Sequence, residues 1–434
     1  MLGLELFCVH AVVRQSLVTA ASIFILVGLM STEASANELY KWVQYAPGGI
    51  EARAVTDAAA CPPASIDGVP AVMSERSAPG ENFPVRACTL SIPMGAKLVT
   101  VADAPLPLPK ARPDRILIIG DTGCQLGKQV QACNDMTDWP FRLNADMGAS
   151  FKPDIVLHVG DIRYRDKDCP IGNSGCAGSP FGDTWEAWKA DFFKPAEALL
   201  SAAPWVVVRG NHEDCKHGSK GWARTLDPYP FDPKAEGCVG PQKPYTVDIG
   251  GVTLLVIDAS MVAKTADDEQ AAWYRSQFQS AASVSGPVWL AIHRPIWAVD
   301  NISSNKKNED DKTLAVAARN AIPGNVQAII SGHHHTFGVM SYVQDLPVQV
   351  VSGHGGADLS PHAPDVVKGL RIGGVQVKDG IGRPHVFGFS MIERVEADPS
   401  GKTWKLTGYD TQGHPIGACQ IKWREVICDE STAR

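Results

Sequence analysis

The sequence predicts a layered α/β protein: central mixed β-sheets flanked by helices, preceded by a small, mostly β N-terminal segment. Three observations carry that expectation. Apolar, β-branched runs recur at Ile116–Ile119, Ile155–Val159, Trp205–Val208, Val252–Ile257, Val288–Ile292, Val326–Ile330 and Val348–Val351, each bounded by polar loops, as buried strands are. Helical spacing lies between some of them: Trp185, Trp188, Phe192 and Ala196 fall three or four apart, and Ala272, Arg275 and Phe278 follow less cleanly. Before residue 110 the runs are short and alternating, as at Tyr40–Tyr45 and Val85–Ile92.

At 434 residues and 44% apolar, the chain is long enough for a full core and a smaller second one. Its 40 basic residues against 47 acidic ones leave no basic footprint of the kind nucleic-acid binders carry. An apolar run from Leu17 to Met30 follows Arg14 and leads into Ala34-Ser35-Ala36, a small-x-small cleavage pattern. Residues 1–36 therefore read as a secretory signal peptide, with a retained signal anchor as the alternative. The run is short for a membrane span, and no second one follows. Ten cysteines remain beyond Cys8, and they fall into neighbours: Cys61/Cys88, Cys124/Cys133, Cys169/Cys176, Cys215/Cys238 and Cys419/Cys428. Even number and close pairing suggest up to five local disulfides in an oxidising compartment, periplasmic or secreted.

Residues 37–110 read as a β-rich accessory segment ending in the stiff Pro105-Leu-Pro-Leu-Pro109 linker. Residues 111–434 form the main domain. Its later runs, Thr246–Ile249, Val386–Arg394 and Thr403–Tyr409, look hairpin-connected, which is why the sheet should be mixed.

Five short stretches of this domain carry chemistry. Asp121 follows the run ending at Gly120, Asp161 the run ending at Gly160, and Asn211 the run ending at Gly210. His293 ends the run Val288–Ile292, and His333 follows Gly332, with His335 two residues on. A glycine directly before four of these donors lets the backbone turn sharply and approach an ion. Five strand ends, each delivering an oxygen or nitrogen donor, suit a pair of hard-to-borderline ions such as Fe, Zn or Mn. Two such ions, about 3.5–4 Å apart, acidify a water and hold both attacking and leaving oxygens. Asp161 is the natural bridging carboxylate.

Residues 113 to about 360 resemble the calcineurin-like metallophosphoesterases, and within them the purple acid phosphatases. The motifs are Gly120-Asp-Thr-Gly, Gly160-Asp-Ile-Arg-Tyr, Gly210-Asn-His-Glu, Leu290-Ala-Ile-His and Gly332-His-His-His. Only the fourth departs, with Leu290 where the family pattern has Val. The resemblance implies a catalytic domain over residues 111–434 in which Asp121, Asp161, Tyr164 and His335 hold one metal. Asp161, Asn211, His293 and His333 would hold the second. Tyr164 implies Fe(III) at the first site, and the second ion is Fe, Zn or Mn. His212 would not bind metal but stabilise the phosphoryl transition state or protonate the leaving group. The implied reaction is attack on phosphorus by a metal-activated hydroxide, with no covalent enzyme intermediate.

Lesser candidates surround these. His334 and His354 could contact substrate phosphate, as could Arg294 and Arg163; Glu213 and His217 would support the ligands from behind. The Trp185/Trp188/Phe192 stripe reads as core, and Lys306–Asp311 as a solvated charged loop. The expected function is an exported phosphatase acting on phosphate monoesters. A phosphodiesterase or nucleotide hydrolase on the same scaffold is the enzymatic alternative, because loops choose the substrate. A non-catalytic exported binding protein is the other; the filled donor set argues against it.

Overall fold

The computed structural model describes residues 38–235, 237–302, 312–396, 398 and 402–429. The expected signal peptide and the charged stretch from Lys306 to Asp311 lie outside the described residues.

Two β-sheets pack face to face. The first contains eleven strands among the described residues. In spatial order these are Glu425–Asp429, Pro415–Lys422, Thr403–Asp410, Gly388–Arg394, Arg115–Ile119, Ile155–His158, Trp205–Val207, Leu39–Ala46, Gly49–Thr56, Arg86–Ile92 and Ser74–Ser77. The second has eight: Tyr245–Asp248, Thr253–Ile257, Val288–Ile292, Val326–Ser331, Val348–Ser352, Phe337–Tyr342, Val375–Arg383 and Arg371–Ile372. Each sheet is parallel at its centre and antiparallel at its flanks. The mixed sheets expected from the sequence are present.

Pleat alternation sorts each central strand between two cores. Ile116 and Ile118 enter the space between the sheets, beside Leu157, Val206, Trp289, Ile330 and Val350. Leu117 and Ile119 face outward onto Phe141, Trp188, Phe192 and Leu199. On the far side, Leu290, Ile292 and Ile329 meet Tyr274 and Phe278 of the helix Asp268–Ser280, and Leu314 of Lys312–Ala318. The layers run helix, sheet, sheet, helix. The tryptophan stripe is core, as its spacing suggested: Thr184 caps Trp185–Trp188, which continues as one wide π-type turn over Lys189–Phe193.

The N-terminal segment is mostly strand. Its first strand, Leu39–Ala46, lies parallel to Trp205–Val207 with Gln44 opposite Trp205, so the segment extends the main sheet. A separate four-stranded sheet forms from Val69–Val72, Pro63–Ile66, Val99–Val101 and Ala104–Pro105. All five neighbouring cysteine pairs are disulfides. No helix among the described residues is long and apolar enough to cross a membrane.

Candidate metal centre

Both sheets end at the same place. Asp121, Asp161 and Asn211 leave the carboxyl ends of three parallel strands of the first sheet; His293, His333 and His335 leave two of the second. Three of these donors hold left-handed backbone: φ is 55° at Asp121, 54° at Asp161 and 67° at His333. That conformation is uncommon for residues bearing a Cβ, although Asp and His tolerate it better than most, and six further described residues adopt it outside the site. The preceding glycines serve a second purpose, since a Cβ on Gly210 would strike the Asp161 carboxylate and backbone. One on Gly332 would strike the Asp121 carboxylate.

Tyr164 is the hub. Its hydroxyl lies 3.0 Å from Asp121 Oδ1, 2.8 Å from Asp161 Oδ2 and 2.9 Å from His335 Nε2. His293 Nε2 sits 3.1 Å from Asp161 Oδ2. One donor atom each of Asp161, His293 and His333 falls within 4.8 Å of the others. Two histidines are pinned from behind: His293 Nδ1 is 2.7 Å from Val159 O and His335 Nδ1 2.6 Å from Asp358 O. A carbonyl only accepts, so Nδ1 carries the proton and Nε2 faces the cluster, the arrangement metal-ligating histidines use. Backbone amides hold the carboxylates, His212 N on Asp161 Oδ1 at 2.8 Å and His333 N on Asp121 Oδ2 at 2.9 Å.

The electrostatics call for cations. Burial pushes the Tyr164 phenol well above its ordinary range, and the Asp121 and Asp161 carboxylates push it further. Burial works to raise Asp161 too, but His293, His212 and His333 outweigh it and hold the carboxyl well below its usual range. His293 is lowered by burial yet raised overall to about 9 by Asp161. Asn211 Oδ1 is buried and has no hydrogen-bond partner among the described residues. Buried carboxylates, a phenol and an orphaned carbonyl oxygen converging on one spot fit metal ions.

His212 sits at the mouth, 22% exposed, its ring 4.0 Å from that of Tyr164. Burial lowers its pKa, while Asp161 and Asp166 pull the other way. Asp166 Oδ2 is 3.6 Å from His212 Nδ1, and Arg163 Nη2 donates to the other oxygen, Oδ1, at 2.8 Å. Arg163 therefore turns inward, with Arg165 O and Gly182 O as its other acceptors. Arg294 and His334 are buried, the latter with its ring 5.7 Å from that of His333. His354 is fully buried against Phe337, its pKa pushed down to about 3 by burial, and has no exposed surface.

Two supporting acids stand behind the donors. Glu213 accepts the amides of Gly210, Asp161, Ile162 and Arg163, at 2.9, 3.1, 2.8 and 3.3 Å. Burial, then Asp161, pushes its carboxyl up to about 7. Asp191, which sequence reasoning passed over, accepts the amides of Tyr164 at 2.9 Å and Cys124 at 3.1 Å and pairs with Arg165. Its signal was an acid placed directly before Phe192 within the apolar tryptophan stripe. Asp166 was missed as well, though it stands two residues from Tyr164.

A double-sheet sandwich with donors at the shared carboxyl edge defines a metallophosphoesterase-type protein. A model of the calcineurin-like phosphoesterase family matches residues 114–337, and the chain belongs to that family. Within it the chain is purple acid phosphatase-like. Purple acid phosphatase 23 of Arabidopsis thaliana is 24% identical over 295 residues, 64% of this chain and 60% of that protein. Purple acid phosphatase 21 of the same plant is 25% identical over 212 residues, 46% of this chain and 42% of that protein. The chain thus spans at most three fifths of the length of these curated relatives. Among solved structures, purple acid phosphatase PPD1 from yellow lupin (Lupinus luteus) matches with a TM-score of 0.55 and 15% identity, over 89% of this chain and 74% of that one. The structure of PhoD matches with 0.51 and 11%, over 90% and 91%. These two likenesses concern the fold.

Proposed function

We propose that this chain is an exported phosphatase that hydrolyses phosphate monoesters at a dinuclear metal centre. The observation that carries the proposal is the Tyr164 hydroxyl, joined to Asp121, Asp161 and His335 in one buried cluster. Asp121, Asp161, Tyr164 and His335 would hold the first ion, and a phenolate ligand favours Fe(III) there. Asp161, Asn211, His293 and His333 would hold the second, which is Fe, Zn or Mn. Such ions supply acidification of a water and neutralisation of phosphate charge.

The chain's own residues do the rest. His212 reaches the solvent side of the cluster and carries a proton to the leaving oxygen, with Asp166 facing its other nitrogen. Glu213 and Asp191 fix the backbone from which Asp161 and Tyr164 project. Five disulfides and the cleavage pattern near residue 36 support export.

The test is hydrolysis of matched aryl phosphate mono- and diesters by the purified chain, with Asp161→Asn beside it. Monoester turnover that the substitution abolishes is the expected result. Turnover of diesters alone would replace the monoesterase with a phosphodiesterase. No turnover and no bound metal would leave a binding protein.

A further inference from the structure

We propose that the N-terminal strands of the main sheet position the Asn211–Glu213 turn through a continuous hydrogen-bonded chain, Arg76–Asp227–Gln242–Asp258–Arg209. This rests on the hydrolase function proposed above and assigns a role in that site to residues 37–110.

The chain begins at Arg76 in the strand Ser74–Ser77. Its guanidinium is spent on main-chain carbonyls: Nε on Arg224 O at 3.1 Å, Nη2 on Ala223 O at 2.9 Å, Asp227 O at 3.0 Å and Tyr229 O at 2.7 Å. Two more N-terminal side chains reach the same turn. Arg53 Nη1 donates to Thr225 O and Asp227 O, both at 2.8 Å, and Gln44 Nε2 to Leu226 O at 2.6 Å. The carbonyls that a helical turn leaves unpaired at its carboxyl end are thus satisfied from a segment about 150 residues earlier.

The second half runs toward the donors. Asp227 Oδ2 accepts from Gln242 Nε2 at 2.8 Å, and Gln242 N donates to Asp258 Oδ2 at 3.1 Å. Asp258 Oδ2 lies 3.4 Å from Arg209 Nη1, and Arg209 Nε donates to Glu213 O at 2.9 Å. Glu213 closes the path by holding the amides of Gly210 and Asp161. Arg209 Nη1 also donates to Gly240 O at 3.2 Å, two residues beyond Cys238 of the Cys215–Cys238 disulfide. Apolar packing would join two sheets at lower desolvation cost than buried arginines do. What directed bonds add is a fixed register, and this register ends on the turn that carries Asn211 and His212.

The experiment uses the full chain and three variants, Gln242→Ala, Arg76→Met and their double. The metal-stripped proteins are titrated with Zn²⁺, and kcat and KM are measured on an aryl phosphate monoester. Each single variant should weaken binding of the second Zn²⁺ equivalent by about tenfold, as loss of a ligand-supporting contact does, and raise KM. The double variant should lose no more than the worse single, because both cut one chain. A purely structural role would lower the active fraction, and so kcat, with Zn²⁺ affinity and KM unchanged; that result overturns the inference. Losses that multiply in the double variant overturn it also. If Arg76→Met does not fold, Asp258→Asn takes its place in the same cycle. A wild-type chain that takes up no metal would sink the hydrolase function and this inference together, whereas active wild type with indifferent variants sinks this inference alone.

Discussion

Asp121 and Asp161 share one unusual backbone conformation, φ 55° and 54°, at the ends of adjacent parallel strands, and the Tyr164 hydroxyl joins their carboxylates.

Asp161→Asn should lower turnover by about 10²–10³-fold and loosen both ions, since its Oδ2 meets both the Tyr164 hydroxyl and His293 Nε2. Metal content by mass spectrometry, alongside the ester assay, checks this. A variant that keeps two ions and full turnover would remove Asp161 from the bridging role.

Tyr164→Phe should erase any visible charge-transfer band while the fold survives, because the ring that packs on His212 remains. Absorption spectra with circular dichroism decide it. An unchanged band would mean that the first ion has no phenolate ligand.

His212→Ala should reduce kcat by about 10²–10⁴-fold, the range for a lost general acid, with metal content intact. Departure of the ions instead would make His212 a ligand and reverse its assignment.

A pH effect should arise away from the donors, at His217. Its Nδ1 lies 2.7 Å from Asp214 Oδ1, and that bond raises His217 above its ordinary range although partial burial opposes it. Burial works to raise Asp214, but the bond from His217 lowers it. The raised histidine contributes stability that is full below its unfolded pKa of about 6.5 and fades as pH rises through the higher folded value. Asp214 contributes above its unfolded value of about 3.9 and loses its share as pH falls through the lower folded one. His217→Ala should therefore lower Tm more at about pH 5.5 than at about pH 9. Equal losses at both would mean the pair is not ionised together.

The candidate donors could be proposed from the sequence because four stand directly after a glycine at a strand end and His293 directly after its strand, so local pattern was enough to single them out. The central strands were legible for the same reason. The strand Phe337–Tyr342 was not, since Gly338 and Ser341 break its apolar run. Asp191 escaped because its partners are tertiary: it serves Tyr164, 27 residues away, from inside an apolar helical stripe. For His354 the sequence showed only its glycine neighbours, whereas the ring is fully buried beside Phe337, a placement that local pattern does not carry. The parallel pairing of Leu39–Ala46 with Trp205–Val207 left no trace in the alternation of either strand.

The seven candidate donors come from both sheets: Asp121, Asp161, Asn211 and Tyr164 follow strands of the first, and His293, His333 and His335 follow strands of the second. An ion held between them is a rivet through the sandwich, and prying the sheets apart must evict it. Folding and metal uptake would then be linked equilibria: metal at about 100 times its Kd adds roughly 2.7 kcal/mol to stability, and chelation removes it. Tm should climb with the logarithm of free metal concentration, so this protein's thermal stability would report the metal supply of its surroundings.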